Sequence, residues 1–345
     1  MKPNIILLSL LLIYPALGQA GELEKQMLRC SVIGDASARL GCFDTLSKTA
    51  EAIIVSTGAA TSEAAVVVTV PAVASEHAAP PESTISRTVQ RWELDDASKR
   101  GLFSVRPYRD NYLLLANVSS ASNDEPFQAF TPGGIKSQHV ELTYQLSMKM
   151  KVAENVAHSP LDIWLGYTQQ SFWQAYNRKA SSPFRETDYQ PEVVAVLPIN
   201  KSFGGIDFRY VNFGLVHQSN GQTSTLSRSW NRIYGELGME YGNFAMSTRI
   251  WKRLDNAKSD NDNIDITDFM GHGDVRLSYR ADGSEYSLTA RRNFSTGHGA
   301  LQAGWAFPLS TNLKGYLQVF SGYGQSLIDY NYSQKSLGAG FLVDF

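Results

Sequence analysis

The sequence predicts an all-β fold: a 12-stranded antiparallel transmembrane β-barrel with a small helical extension at its N-terminal end. Three observations predict it. The chain opens on an export signal, its last 240 or so residues alternate apolar and polar in segments of about ten, and it ends on an alternating apolar face closed by Phe345. A water-soluble sandwich also alternates, but it rarely supplies so many consecutive strands with aromatic ends and so much charge on the non-apolar face.

The signal is read from Met1 and Lys2, an apolar run from Ile5 to Leu17, and the small residues Gly18 and Ala20, with cleavage expected after Ala20. The run is short for a membrane-spanning helix, and no later apolar stretch reaches about 18 residues. At 345 residues, formal net charge -2 and 43% hydrophobic, the chain has room for one large domain or two ordinary ones and no basic excess to suggest nucleic acid.

Residues 21–50 read as a small helical unit holding both cysteines, Cys30 and Cys42. In an exported chain a pair this close is most simply a disulfide clamping a helical hairpin, and no His or further Cys lies nearby to make a metal site. Residues 51–100 are rich in Ala, Val, Ser, Thr, Glu and Pro and read as a flexible linker. The N-terminal extension is expected on the periplasmic side.

From residue 101 to 345 the expected element is the barrel. Candidate strands cover residues 111–118, 139–152, 161–172, 189–200, 205–219 and 229–241, then 244–253, 269–280, 285–294, 301–309, 313–322 and 334–345. Twelve is the even number expected of a bacterial outer-membrane barrel, apolar outside and polar inside, closed so that every backbone group is paired. At the C-terminus Leu337, Ala339, Phe341, Val343 and Phe345 share one face.

The stretch 213–232 holds the candidate chemistry. Val211, Phe213, Leu215, His217 and Ser219 share one face of a strand. On the returning strand Asn231, Ile233, Leu237 and Met239 share a face, while Arg232, Glu236 and Glu240 point the other way. Matching the apolar faces puts His217, Ser219 and Asn231 on one side. They form a candidate base, nucleophile and orienting group. That side faces lipid, where a pore gains nothing from such groups but an enzyme acting on a lipid ester does.

Several spaced blocks in order carry a family resemblance: residues 107–114, Tyr167 to Ser171 with Trp173, Ser181 to Thr187, His217 to Gly221, Ser227 to Arg232, and Tyr323 to Tyr330. From about Phe103 to Phe345 the chain resembles the outer membrane phospholipase A family. The resemblance implies a calcium-dependent outer-membrane homodimer that hydrolyses phospholipid acyl esters, with A1, A2 and lysophospholipase activity. It implies Ser219 as nucleophile, His217 as general base, Asn231 as orienting group and the Gly221 N–H as oxyanion donor. For Ca2+ it implies the Ser181 hydroxyl of one subunit with the carbonyls of Gln222 and Ser227 of the other. Position 222, usually Arg in the family, is Gln here. Of two Asp residues at a second family site, one matches Asp262 and the other falls on Ser224. Gln169 matches a polar residue at the family's dimer interface. The alternative from another class is a passive channel, against which lumen-facing Arg232, Glu236, Glu240, Asp274, Arg276 and Arg291 argue weakly, since opposite charges there can pair.

Overall fold

A computed structural model describes residues 29, 30, 33, 35, 37, 38, 40–42, 45, 86–128, 136–254 and 262–343. The signal at 1–20, most of the linker and Phe345 lie outside the described residues. The chain divides into two compact units, Met1–Ala79 and Pro80–Phe345. In the first, Cys30 and Cys42 form a disulfide with Cα atoms 5.6 Å apart, and the described backbone around each is helical.

The second unit is built from antiparallel strands in chain order. They are β1 (Val105–Pro107), β2 (Asn111–Ser119), β3 (Val140–Ala153), β4 (Asp162–Trp173), β5 (Phe184–Phe203), β6 (Ile206–Ser219) and β7 (Ser229–Tyr241). The series continues with β8 (Phe244–Arg253), β9 (Gly273–Ala281), β10 (Ser284–Arg292), β11 (Gly299–Pro308), β12 (Leu313–Tyr323) and β13 (Ser333–Val343). Each long strand pairs with the next, and β13 pairs with β2, which closes the wall. The short β1 pairs with β3 alongside β2: Val105 faces Met150, and Tyr112 faces Gln145. β1 and β2 therefore act as one strand broken at residues 108–110, and twelve strands make the barrel. Among the described residues no helix is long and apolar enough to cross a membrane.

One end of the barrel carries tight turns, the other long loops. At the tight-turn end Asp282 and Gly283 have φ of 52° and 73°, the pair of left-handed residues that a two-residue hairpin needs to match strand twist.

The pattern of burial is that of a soluble protein turned inside out. Leu113, Leu146, Leu165, Phe213, Leu215, Ile233, Val319 and Leu337 are exposed, while Glu141, Lys149, Lys151, Glu192, Asn212 and Glu236 are buried. The expected pairing of lumen charges is found for several groups. Glu236 accepts from Arg249 Nε at 2.7 Å, Glu240 from Arg209 Nε at 2.7 Å, and Asp110 from Arg276 at 2.5 Å. Arg232 lies over the Trp230 ring at 3.9 Å, and Arg291 donates to the carbonyls of Tyr323 and Gly324 at 2.6 Å. Large lumen rings lie flat over wall glycines; a Cβ at Gly214 would stand 2.3 Å from Tyr234 Cζ.

Two predicted boundaries move. β5 starts at Phe184, five residues before the expected 189, because its inward residues Glu186, Asp188, Gln190 and Glu192 are polar but buried, and Arg185 beside them is also turned into the interior, onto Glu141 and Asp329, at a register shift that breaks the alternation. Residues 269–270 end a short helix, α2 (Ile266–Met270), whose Ile266 and Met270 are both buried, one turn apart.

The reading of residues 51–100 as linker is corrected at its C-terminal end. Residues 87–92 form helix α1 (Arg87–Trp92), capped by Ser86, whose side chain accepts from Val89 N at 3.0 Å. α1 enters the lumen at the tight-turn end, where Thr88 N donates to Glu240 and Asn200 Nδ2 to Leu94 O. Trp92 packs edge-on to Trp164 and Tyr108, and Lys149 Nζ lies 3.2 Å from the Trp92 ring centroid. Glu93 holds Lys151 at 3.0 Å and Arg106 at 3.2 Å. Composition hides this helix because its two buried residues, Val89 and Trp92, stand among charges that face the lumen. At the long-loop end the segment 324–332 folds inward and buries Leu327, Ile328, Asp329 and Tyr330.

Two stability outcomes follow. Val319, outward between Ala303 and Leu337, should cost about 2–4 kcal/mol when replaced by Arg, read from denaturant unfolding in lipid vesicles, because the cation meets hydrocarbon. Lys149 Nζ has no hydrogen-bond acceptor among the described residues and rests on indole faces instead. By the same assay Trp92→Ala should cost about 3–5 kcal/mol, whereas Lys149→Met should be neutral within about 1 kcal/mol or stabilising.

Candidate active site

β6 and β7 run to the long-loop rim, and their register sets His217 opposite Asn231 and Ser219 opposite Ser229. The side chains of Phe213, Leu215, His217, Asn231 and Ile233 are all exposed on the outer face, as the alternation requires. His217 Nδ1 lies 2.8 Å from Asn231 Oδ1. A carboxamide oxygen only accepts, so Nδ1 carries the proton and Nε2 keeps its lone pair. Ser219 is two residues further along β6 on the same face, and it is partly exposed. A hydroxyl, an imidazole with a fixed tautomer and an orienting amide thus meet lipid at the barrel rim.

The inward neighbours hold this strand end in place. Gln218 Oε1 accepts from Trp230 Nε1 at 3.0 Å and from Arg232 at 2.9 Å. Asn220 is buried and its side chain closes the whole 220–228 loop: Oδ1 accepts from Gln222 N and Arg228 N, and Nδ2 donates to Leu226 O at 2.8 Å and Glu186 at 3.0 Å. Gly221 has φ +64°, and a Cβ there would stand 3.2 Å from Tyr189, so both conformation and space call for glycine. Its N–H has no acceptor among the described residues.

The expected calcium ligands divide into groups on this rim. Ser181 follows a single 3-10 turn (Arg178–Ala180) with φ 61°. Gln222 is exposed. Ser227 Oγ hydrogen-bonds Asp262 Oδ2, which brings oxygens from two loops together. Ser224 stands in another 3-10 turn (Ser224–Leu226) with φ 55°. The carbonyls of Thr225 and Ser227 both accept from Arg228 Nη1, at 2.9 and 2.6 Å, so this loop gathers its oxygens around a positive charge. No group of three or more His, Cys, Asp or Glu suited to a metal occurs among the described residues; the expected donors are mostly hydroxyls and carbonyls, which such a grouping does not include.

Gln169 lies away from the rim, on the outer face of β4 between Leu146 and Tyr189 of the flanking strands. It accepts from Tyr167 OH at 3.1 Å and donates to Ser171 Oγ at 3.3 Å. Beside His217 an outer groove of about 520 Å³ is lined by Leu165, Pro191, Val193, Leu215 and Leu254 together with His217 and Asn231. Sequence reading missed this groove and the Asn220 hub. The Asn220-Gly221 pair does signal a turn, but the groove is assembled from β4, β5, β6, β7 and the residue after β8, which no local pattern relates.

Comparison with known proteins matches residues 88–343 to the family described as Phospholipase A1. A protein of Neisseria meningitidis serogroup B whose name includes phospholipase A1 is 41% identical over 264 residues, 73% of this chain and 69% of that one. The solved outer membrane phospholipase A from Escherichia coli is 34% identical, with a TM-score of 0.67 over 71% of this chain and 94% of that chain. It has also been solved as an active-site mutant with an asparagine changed to alanine, 33% identical over the same shares with the same TM-score. The Salmonella typhi outer membrane phospholipase, solved as a dimer with bound calcium, is 34% identical with a TM-score of 0.67, again over 71% and 94%. The family match spans the whole barrel, and the chain belongs to the phospholipase A1 family as an outer-membrane phospholipid hydrolase.

Proposed function

We propose that the chain cleaves phospholipid acyl esters through Ser219, His217 and Asn231, working with calcium as a dimer. The observation that carries this reading is the 2.8 Å contact between His217 and Asn231 on the lipid-facing side of the rim. The active-site asparagine of the E. coli relative supports it.

In this mechanism Ser219 Oγ attacks the ester carbonyl while His217 Nε2 takes its proton. Asn231 holds the imidazole by its Nδ1–H, though without the negative charge by which an Asp would stabilise the imidazolium. The Gly221 N–H donates to the oxyanion of the tetrahedral intermediate. His217 returns the proton to the departing glycerol oxygen, releasing a lysophospholipid and leaving an acyl group on Ser219. His217 then takes a proton from a water, whose oxygen attacks the acyl carbonyl, and returns it to Ser219 Oγ as the acyl–serine bond breaks and the fatty acid leaves. The groove of Leu165, Val193 and Leu215 gives the acyl chain an apolar seat beside His217. The same chemistry extends to the A1, A2 and lysophospholipase reactions, since each presents one ester at this depth.

Calcium would be held by the Ser181 hydroxyl and the carbonyls of Gln222 and Ser227. A second position would use Asp262 with the Ser227 hydroxyl, where Ser224 supplies a weaker donor than a carboxylate. These hard oxygen donors suit the ion, and the meeting of Ser227 Oγ with Asp262 Oδ2 supports the fit at the second position; at the first, the ion would replace Arg228 Nη1 on the Ser227 carbonyl. When bound, the ion supplies positive potential near the oxyanion. The calcium-bound dimer of the S. typhi relative supports both the ion and a homodimer. The Tyr167, Gln169 and Ser171 side chains form a polar stripe in an apolar wall, and a second copy gives that stripe polar partners that lipid does not. On the same reading residues 1–20 are a cleaved signal, and the disulfide-linked extension is periplasmic. The passive-channel reading has less support: α1 and the 324–332 segment occupy the lumen from its two ends.

Hydrolysis is tested by fatty-acid release from phospholipid in detergent. Ser219→Ala should lower kcat by about 10⁴-fold or more, and Asn231→Ala by about 100-fold. Chelation should remove activity, and added calcium should restore it. Release that ignores the chelator would remove the ion from the scheme; full activity in Ser219→Ala would remove the nucleophile. Gln169→Leu should shift the calcium-loaded protein toward monomer in sedimentation.

A further inference from the structure

The chemistry proposed above accounts for the outward side chains of the 217–231 hairpin, but not for the buried acidic residue behind it. Glu186 projects inward from β5 and is 2% exposed. Its carboxylate accepts from Asn220 Nδ2 at 3.0 Å and from Ile328 N at 3.0 Å. Asn220 lies between Ser219 and Gly221, and its side chain spans the loop by four further contacts: Gln222 N at 3.3 Å, Arg228 N at 3.0 Å, Leu226 O at 2.8 Å and a second Glu186 oxygen at 3.4 Å. The Asn220 N–H also donates to Arg228 O at 3.0 Å.

We propose that Glu186 and Asn220 form a lumen-side positioning pair that sets the Gly221 N–H and the 222–227 carbonyls for reaction, with the inward 324–332 segment as its fixed support. Gly221 is attached directly to Asn220 and takes a left-handed φ; a hydrogen-bond donor serves an oxyanion only when held within a few tenths of an ångström. On the outer side the loop is tied through Ser227 Oγ to Asp262, which leaves the Asn220–Gly221 corner to be held from the lumen. The restraint at that corner comes from inside, through the buried Glu186 carboxyl group, which accepts from Asn220 Nδ2 and from the backbone of Ile328 and stands beside Asp188 on the same strand. Leu327 N is held in the same way by Asp188 at 3.0 Å, and Asp329 by Arg185 at 2.9 Å. Arg185 lies four residues after Ser181, so the same support braces the strand that leads from the other proposed calcium ligand. Neither member of the pair touches substrate; each acts through the backbone it holds.

This inference rests on the Ser219 reading, and its test separates the two. Asn220→Ala, Asn220→Asp, the double variant N220D/E186Q and Ser219→Ala are compared with wild type in detergent at saturating calcium, measuring kcat and KM with a phosphatidylcholine substrate. Heat-resistant compact migration on a gel reports the closed barrel. Asn220→Ala should lose about 100-fold in kcat, the size expected for one misplaced oxyanion donor, with KM within about threefold. Asn220→Asp sets two carboxylates against each other and should lose at least as much. Adding E186Q supplies an amide donor to the new carboxylate and should recover kcat at least tenfold. A merely structural role would not give that recovery while compact migration stays the same throughout. Asn220→Ala within threefold of wild type, or no recovery in N220D/E186Q, overturns the pair. If Asn220→Ala does not give the compact band, the comparison of N220D with N220D/E186Q decides. An inactive Ser219→Ala beside an active Asn220→Ala sinks the pair alone; an active Ser219→Ala sinks the nucleophile.

Discussion

Hydrocarbon offers no water to a backbone N–H or C=O, and the rest of this molecule follows from that constraint. The sheet must close, so β13 pairs with β2. Its outer face must be apolar, so polar side chains are driven inward. A polar interior must then find partners for its own groups, so the lumen holds ion pairs, edge-on indoles, α1 and the inward loop. What a soluble protein places on its surface this one places in its core.

The same period of two that separates lipid from lumen also divides the labour at the rim. His217 and Ser219 point out; Gln218 and Asn220, between and beside them, point in. Each outward group is therefore steadied by a neighbour pinned in a rigid polar interior. Gln218 is held by Trp230 and Arg232 from the partner strand, and Asn220 by Glu186 from the strand on the other side. Precision at a face that meets a fluid is obtained from a face that does not.

The wall was legible in the sequence wherever outward apolar residues alternated with polar ones, and eleven of the twelve expected strands start within four residues of those observed. Reading failed where both faces were polar, as at the start of β5, or where a short helix turned two apolar residues inward among charges, as in α1. His217 and Asn231 could be placed on one side because both lie on strands whose apolar faces must match. The Glu186–Asn220 contact could not be found that way: the two residues are 34 apart in sequence, and an inward glutamate or asparagine looks like any other lumen polar residue. Alternation tells which side a residue takes, not which of a dozen side chains it meets there.

The two pieces that fill the lumen are attached to the two strands that meet at the seam. α1 leads into β1 and β2, and the 324–332 segment leads into β13. Closing the cylinder therefore brings both lumen pieces to the seam with the strands that carry them. A cylinder zipped shut while hollow would have to admit Trp92 through one end and Leu327 through the other, past side chains already locked together. The two seam strands each carry their own lumen segment, so the pairing that closes the circumference also joins the pieces that occupy the axis.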